Sequence, residues 1–498
     1  MRTASRHCIS MLLIATLFVL VDVAPAIGQY SWQSQMRDTI RATVEGHDSG
    51  GTWSVMVVNL DTGEPVVDYR GQATMIPAST VKILTSAAAL ELLGPDFRYE
   101  TVLTTTGPVE GGRVNGDLVL HGAGDPSLGQ HRATSSIFTN WAQGLSRIGI
   151  EQVSGQVIGD DSLFDAPGIA PGWSWDDIPY GYAAQSSALS YYGNVVRITL
   201  DALQGGSDVR IRWLPNNTSY VTVGHQLEQG QRGQQLWRRF ERDLGQNTIH
   251  VRGTIPAGRS TQFRVSIDNP TLFSAYVFSE ALDQTGITVR DGATTVRLLD
   301  APPAPYDTLA SVYSPPLSEL VKTVNQESDN LYAEQLLHTL GAMAHGDSLS
   351  VTSSRERGLR LVRGLIHRAG GAPERTRLVD GSGLSRYNLV SAEVLVQVLA
   401  YMHGHPDSEV RRAFFRSLPV GGRDGTLQFR FQRAAAARGN VRAKTGTFSN
   451  NSALAGYVTS FEGTPFAFAV LANNHVGSTR PLRTVQDQIV NILAQYPR

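Results

Sequence analysis

Ser79-Thr80-Val81-Lys82 sets a hydroxyl and an amine three residues apart. The motif opens a run, Ser79 to Leu93, in which Ala, Leu and Ile recur at helical spacing. Residues three apart on a helix share a face, and the helix N-terminus favours negative charge developing on the serine oxygen. A serine hydroxyl alone is a poor nucleophile. A desolvated, neutral lysine amine one turn away can take its proton. An N-cap serine followed by a surface lysine would look the same over four residues. This is, however, the only S-x-x-K in the chain, and it uses one of only three lysines, Lys82, Lys322 and Lys444, among 43 basic residues. A chain that otherwise chooses arginine, which cannot give up its proton, keeps lysine where an amine that titrates is useful.

Two further triplets have matching chemistry. In Ser328-Asp329-Asn330, the Ser328 hydroxyl can relay a proton to a leaving amine. The Asn330 amide can hold a substrate carbonyl or tether a lysine. Taken singly, the triplet also reads as an ordinary N-cap ahead of a helix from Asn330 to Ala344. Lys444-Thr445-Gly446 lies in a strand-like run. A strand edge can hold an extended peptide through main-chain hydrogen bonds. Gly446 permits close approach, Thr445 offers a hydroxyl, and Lys444 offers positive charge for a carboxylate. Ser449-Asn450-Asn451 has the form of the second triplet, but it follows the third too closely along one strand to face it.

The elements that must position these groups are legible in outline. Trp53 to Leu60 alternates as a strand, Asp61-Thr62-Gly63 is a hairpin turn, and Pro65 to Tyr69 is the return strand. Gly94-Pro95 stops the Ser79 helix. From about 98 to 307, runs rich in Thr, Val and Arg alternate with Gly, Asn and Asp turns, with at least one helix around Leu272 to Gln284. A helical texture returns in Leu317 to Val324, Asn330 to Ala344 and Val390 to His403. Strand-like runs follow at Asn440 to Thr447, Ala453 to Ser460 and Phe466 to Leu471, with Glu462-Gly463-Thr464 as a turn, and Leu482 to Ala494 is a terminal helix. The expected class is α+β: residues 29–97 and 308–498 form one domain, interrupted by a long β-rich insertion over 98–307 that makes one or two extra domains.

S-x-x-K, S-D-N and K-T-G, in this order, are the signature of penicillin-binding proteins and class A β-lactamases. With Ser79 and Ser328 about 250 residues apart, the chain resembles the penicillin-binding protein 4 type, the D-Ala-D-Ala carboxypeptidase/endopeptidase family (peptidase family S13). The likeness extends to Gly124-Asp125-Pro126-Ser127-Leu128, to Gly172-Trp173-Ser174-Trp175-Asp176-Asp177, to Ser187-Ala188-Leu189-Ser190 and to Asp380-Gly381-Ser382-Gly383-Leu384-Ser385-Arg386, and so to nearly the whole chain after its first residues. The resemblance implies a β-lactamase/transpeptidase-like domain, an antiparallel sheet flanked by helices. It implies that Ser79 is acylated, that Lys82 is its base, that Ser328 and Asn330 assist, and that Lys444, Thr445 and Gly446 line the substrate strand. The oxyanion hole would be the N–H groups of Ser79 and Thr447. Asp177 and Arg386 resemble positions that recognise the free amine and carboxylate of a peptidoglycan side chain, and Phe448 stands where other members carry a different apolar residue. Peptidoglycan stem peptides are the implied substrates and β-lactams the implied inhibitors, with no metal or other cofactor.

Composition narrows the alternatives. The 498 residues exceed what one core usually serves. With 41% hydrophobic and 17% charged residues the chain is globular, and a net charge of -1 offers no basic face for nucleic acid. Arg2, Arg6, the apolar run Ile9 to Val23 and Ala24-Pro25-Ala26 read as a signal peptide over residues 1–28, hence export to the periplasm or medium and a mature chain without a transmembrane anchor. The one cysteine, Cys8, lies in that segment, so the mature chain has no thiol for a nucleophile, disulfide or metal. G-x-S-x-G and H-E-x-x-H are absent, which argues against a lipase-like hydrolase or a zinc peptidase. So is the E-x-x-L-N string whose Glu deacylates class A β-lactamases, so a penicillin should stay long on Ser79.

Overall fold

The computed structural model describes residues 32–47, 50–130, 136–204, 208–344 and 353–496. The expected signal segment and Cys8 lie outside them. No helix among the described residues is long and apolar enough to cross a membrane. The chain divides into two compact units. Of the described residues, one comprises those up to Met75, Ser391–His403 and those from Pro419 on; the other comprises those within Ile76–Val390 and Gly404–Leu418.

The first unit is built on a five-stranded antiparallel sheet in the order Pro65–Tyr69, Thr52–Asn59, Pro465–Asn473, Asn451–Thr459, Arg442–Phe448. Thr52–Asn59 and Pro465–Asn473 are buried at almost every position, on both pleat faces, because helices cover both sides. Helix Arg480–Gln495 and the helix over 32–45 bring Leu482, Ile489, Met36 and Ile40 into one core with Val55, Val57, Phe466 and Phe468. Helix Ala392–His403 also packs on the sheet, and its Leu399 carbonyl accepts the Tyr457 hydroxyl at 2.7 Å. Both expected hairpins are present, with Gly63 and Gly463 at positive φ closing their turns. Ser449 and Asn450 are the two turn residues between paired Phe448 and Asn451. The decoy triplet is therefore a hairpin tip.

The second unit holds the β-rich stretch together with the helices that carry the first two motifs. Helices Val81–Leu93, Asn330–Ala342 and Ser354–Arg368 pack together. A five-stranded mixed sheet, in the order Ala293–Thr295, Val157–Asp160, Leu118–His121, Glu100–Thr105, Thr308–Tyr313, is covered by helix Pro270–Gln284. That helix carries Phe273 and Phe278 into the core, where helix Ile137–Arg147 adds Phe138 and Trp141. The stretch also holds two three-stranded sheets, Val209–Leu214, Val195–Ala202, Ser260–Ser266, and Thr222–Gly230, Thr248–Pro256, Trp237–Arg242, and a four-stranded one of short strands, Thr288–Val289, Gln152–Val153, Arg113–Val114, Val109–Glu110.

Candidate active site

Ser79 lies in a tight 3-10 turn, Ala78–Thr80, that feeds the α-helix beginning at Val81. The turn is unusual because Ala78, a residue with a Cβ, has φ +47, a conformation that persists only when the surroundings enforce it. The enforcer is Gly383. A Cβ on it would stand 2.0 Å from the Ala78 carbonyl oxygen, and its own φ is +78. Only glycine lets the 380–388 loop close on the backbone beside Ser79.

Lys82 is fully buried one turn on. Its Nζ is 3.0 Å from Ser79 Oγ, 2.5 Å from Asn330 Oδ1 and 2.6 Å from the Ser382 carbonyl oxygen. Burial pulls its pKa down from 10.5 to about 8, although Asp380, Asp329 and Glu334 pull the other way. The geometry specifies what the neutral amine does. An NH2 group has two protons and one lone pair. The Asn330 and Ser382 oxygens can only accept, so they take the two protons and the lone pair is left for the Ser79 O–H. The Asn330 amide cannot be reversed, because its Nδ2 donates to the Tyr182 carbonyl at 2.7 Å. Of the two roles open to Asn330 in the sequence, the structure shows the tether.

Ser328 is not the N-cap of the Asn330–Ala342 helix. Asp329 caps the Asn330–Ala342 helix, accepting from Tyr332 N at 3.1 Å, while Ser328 has φ +61 and follows a π-helical turn over Thr323–Glu327. Such turns and such backbone angles gather at functional sites. Here they set a partly exposed hydroxyl two residues ahead of the amide that holds Lys82.

The loop after Asp380 supplies groups that sequence reasoning missed. Asp380 accepts from the N–H groups of Gly383 and Ser385, from Asn388 Nδ2 and from Trp173 Nε1 at 2.6–2.9 Å. Glu334, fully buried one turn beyond Asn330, accepts from Gly381 N at 3.0 Å and Ser382 N at 2.8 Å. It thereby holds the peptide whose carbonyl holds Lys82. Its second oxygen, Oε2, has no hydrogen-bond partner among the described residues, and burial together with nearby Asp380 pushes its pKa up to about 7. A carboxyl in the middle of an apolar helix, four residues after Asn330, was the available signal.

Asp177 is half-buried and accepts the Tyr182 hydroxyl at 2.6 Å. Arg386 is exposed on the 380–388 loop. Their two segments meet: Trp173 bonds to Asp380, and Ser385 Oγ donates to the Pro171 carbonyl at 2.7 Å.

Lys444, Thr445, Gly446, Thr447 and Phe448 belong to the other unit, on strand Arg442–Phe448 at the end of its sheet. Backbone groups of an edge strand point alternately toward and away from the neighbouring strand. Ala443 N points away, to the Pro419 carbonyl at 3.1 Å, so the N–H groups of Thr445 and Thr447 point away too. Lys444 is fully buried, with its Nζ 2.8 Å from the Thr445 carbonyl oxygen. Thr447 is exposed and Phe448 half-buried.

A family model for the "D-Ala-D-Ala carboxypeptidase 3 (S13) family" matches residues 37–496. The chain belongs to that family. It is 33% identical, over 99% of its length and 91% of the relative's, to a D-alanyl-D-alanine carboxypeptidase of Actinomadura sp. (strain R39). It is 26% identical to the D-alanyl-D-alanine carboxypeptidase DacB of Haemophilus influenzae, over 86% of each. Among solved structures, penicillin binding protein 4 (dacB) of H. influenzae superposes with a TM-score of 0.77 at 25% identity, covering 92% of this chain and 99% of that one. A second structure of that protein, complexed with a β-lactam, gives a TM-score of 0.70 at 24% identity. The S13 fold accounts for the α+β architecture and for the β-rich stretch between the first two motifs.

Proposed function

We propose that this chain is a serine-type D-Ala-D-Ala carboxypeptidase, with DD-endopeptidase capacity, that cleaves peptidoglycan peptides through an acyl-enzyme on Ser79 and binds penicillin covalently. The observation that carries the proposal is the buried Lys82 amine. Two acceptors tie its protons down, leaving its lone pair for Ser79 Oγ at 3.0 Å. Family membership supplies the substrate class.

In this reading Lys82 takes the Ser79 proton as Oγ bonds to the carbonyl carbon of the penultimate D-Ala. The negative charge passes to the carbonyl oxygen, which the N–H groups of Ser79 and Thr447 receive. The C–N bond then breaks, and a proton relayed through Ser328 reaches the departing amine. Water later attacks the ester carbonyl and Lys82 takes its proton; the Ser79 Oγ–C bond then breaks, Lys82 returns the proton to Oγ, and the shortened peptide leaves as its carboxylic acid. Lys444, Thr445 and Gly446 present an edge that an extended peptide joins as an added strand, Phe448 flanks it, and Asp177 and Arg386 meet the substrate side chain's ammonium and carboxylate. Residues 29–97 and 308–498 make the catalytic domain and 98–307 the accessory insertion. Residues 1–28 are removed on export to the periplasm or medium.

Incubation with labelled penicillin, followed by intact-protein mass and peptide mapping, tests the assignment. One adduct on Ser79, lost in Ser79→Ala, is the expected result. An adduct on another serine, or none, overturns it.

A further inference from the structure

A cleft of about 520 Å³ opens beside the Ser328 turn. Its floor and walls are Tyr180, Tyr182 and Phe263, and Arg238 and Arg264 line it from strands Trp237–Arg242 and Ser260–Ser266 of the insertion. The rings are packed against one another. Tyr180 stacks on Tyr182 at 5.3 Å, and Phe240, also in the lining, stacks on Phe263 at 4.7 Å and meets Tyr180 edge-on.

Neither arginine has a carboxylate within ion-pair distance among the described residues. Arg238 lies 4.6 Å over the Phe263 ring and reaches only Thr261 Oγ1 and the Gln262 carbonyl, at 3.3 and 3.4 Å. Partial burial lowers its pKa. Arg264 donates to Gln130 Oε1 at 2.7 Å, and it also lines a neighbouring cleft of about 510 Å³ that contains Arg197. Arg197 too is held by a ring, 5.5 Å over Tyr192. The carboxylates of Glu327 and Asp329, on either side of Ser328 in the chain, also line the cleft, and with Glu319 they line the neighbouring one beside Arg197 and Arg264. The cleft therefore offers carboxylates that flank Ser328 and guanidinium groups carried by the strands of the insertion.

We infer that this cleft binds the amine-side peptide of a cross-link, an anionic stem peptide, and so serves cleavage of cross-links rather than trimming of free ends. The inference rests on the function proposed above and deepens it. Size and side both argue for it. Ser328 is the group that hands a proton to the leaving nitrogen, so the cleft beside it lies on the leaving side. A departing alanine fills little of 520 Å³. A departing peptide fills it, laying its body on the tyrosines and its carboxylates on the guanidinium groups, of which that of Arg238 is partly buried and held over the Phe263 ring. The bond changes are the same for both leaving groups: Ser79 Oγ–C forms, C–N breaks, and the proton goes to nitrogen.

The test uses the full chain and three probes: a D-Ala-D-Ala pentapeptide monomer, a peptide-cross-linked muropeptide dimer, and penicillin. In Arg238→Gln/Arg264→Gln, kcat/KM on the dimer should fall by about tenfold or more relative to that on the monomer, while Arg238→Lys/Arg264→Lys keeps most of the difference. In the wild type, amidating the carboxylates of the dimer's amine-side strand should cost about as much, and should add nothing to the loss in the glutamine variant. Losses equal on all three probes, or indifference of the wild type to amidation, overturn the inference. The amidation comparison stands even if the variants fail to fold. A wild type that takes penicillin and trims the monomer yet ignores the dimer overturns the inference alone, whereas a wild type that takes no penicillin overturns the reading beneath it.

Discussion

Lys82 and Glu334 share a dry pocket in which each charge changes the other's meaning. Acylation needs Lys82 neutral. With its pKa drawn down to about 8 by burial, the second-order rate of penicillin acylation should rise with pH and level off above that value. Lys82→Arg should nearly abolish the reaction at every pH, because a guanidinium keeps the charge and cannot take the proton. An ionised Glu334 raises the Lys82 pKa, so Glu334→Gln should move the acid limb of the profile to lower pH while still accepting from Gly381 and Ser382. An unmoved limb would mean that Glu334 acts only as a backbone anchor. Stability gives a second reading. Glu334 is pushed from 4.5 to about 7, so the folded chain keeps a proton that the unfolded chain loses between those values. Its contribution makes stability fall as pH rises from 4.5 to 7. Denaturant midpoints measured across that window should flatten in Glu334→Gln.

At the scale of elements, Gly383 is the position where substitution should cost most for its size. Gly383→Ala sets a methyl 2.0 Å from the Ala78 carbonyl oxygen at a φ of +78. The loop or the Ser79 turn must move. We expect a loss of several kcal/mol in stability, well above the ~1 kcal/mol typical of a point change, and slower acylation even in the fraction that folds. Thermal melts and penicillin mass shifts will show both. What the sequence did and did not reveal follows the same physics. Helix Asn330–Ala342 begins where its pattern says, because Asp329 is a strong local cap. The hairpins were legible because Gly63 and Gly463 are turn residues whatever surrounds them. Ser79 reads as helical but lies in a 3-10 turn, since the Ala78 conformation is imposed by a loop some three hundred residues away in sequence. Helix Ser354–Arg368 was missed despite a capping box at Ser353 and Glu356, a signal hidden by its arginine-rich face. The parallel pairing of Leu118–His121 with Val157–Asp160 had no local mark at all, because long-range packing sets it. The triplets named Ser79, Lys82 and Asn330 correctly as neighbours, whereas the Ser382 carbonyl, a backbone group, has no letter of its own.

For the whole molecule the question is what the insertion adds to a reaction that needs only a nucleophile, a base and a strand edge. Asp177 tests one answer. It accepts the Tyr182 hydroxyl at 2.6 Å, and the Tyr182 carbonyl receives Asn330 Nδ2 at 2.7 Å, so the carboxylate both faces solvent and braces the residue that holds Asn330, the tether of Lys82. If its business is a substrate ammonium, the lost charge-assisted bond is worth about 1.5–3 kcal/mol. Asp177→Ala should then reduce kcat/KM on ammonium-bearing peptides by roughly ten- to a hundred-fold, a far larger loss than on penicillins, which lack the group. Tyr182→Phe separates the two roles. It removes the phenol that Asp177 braces while leaving the carboxylate and the Tyr182 backbone carbonyl in place, so it should spare the preference for ammonium-bearing peptides that Asp177→Ala destroys. Should both variants slow penicillin and peptide alike, the carboxylate works through Tyr182 and Asn330 on the Lys82 amine. The insertion would then act by holding the catalytic groups in place, and substrate choice would have to come from elsewhere.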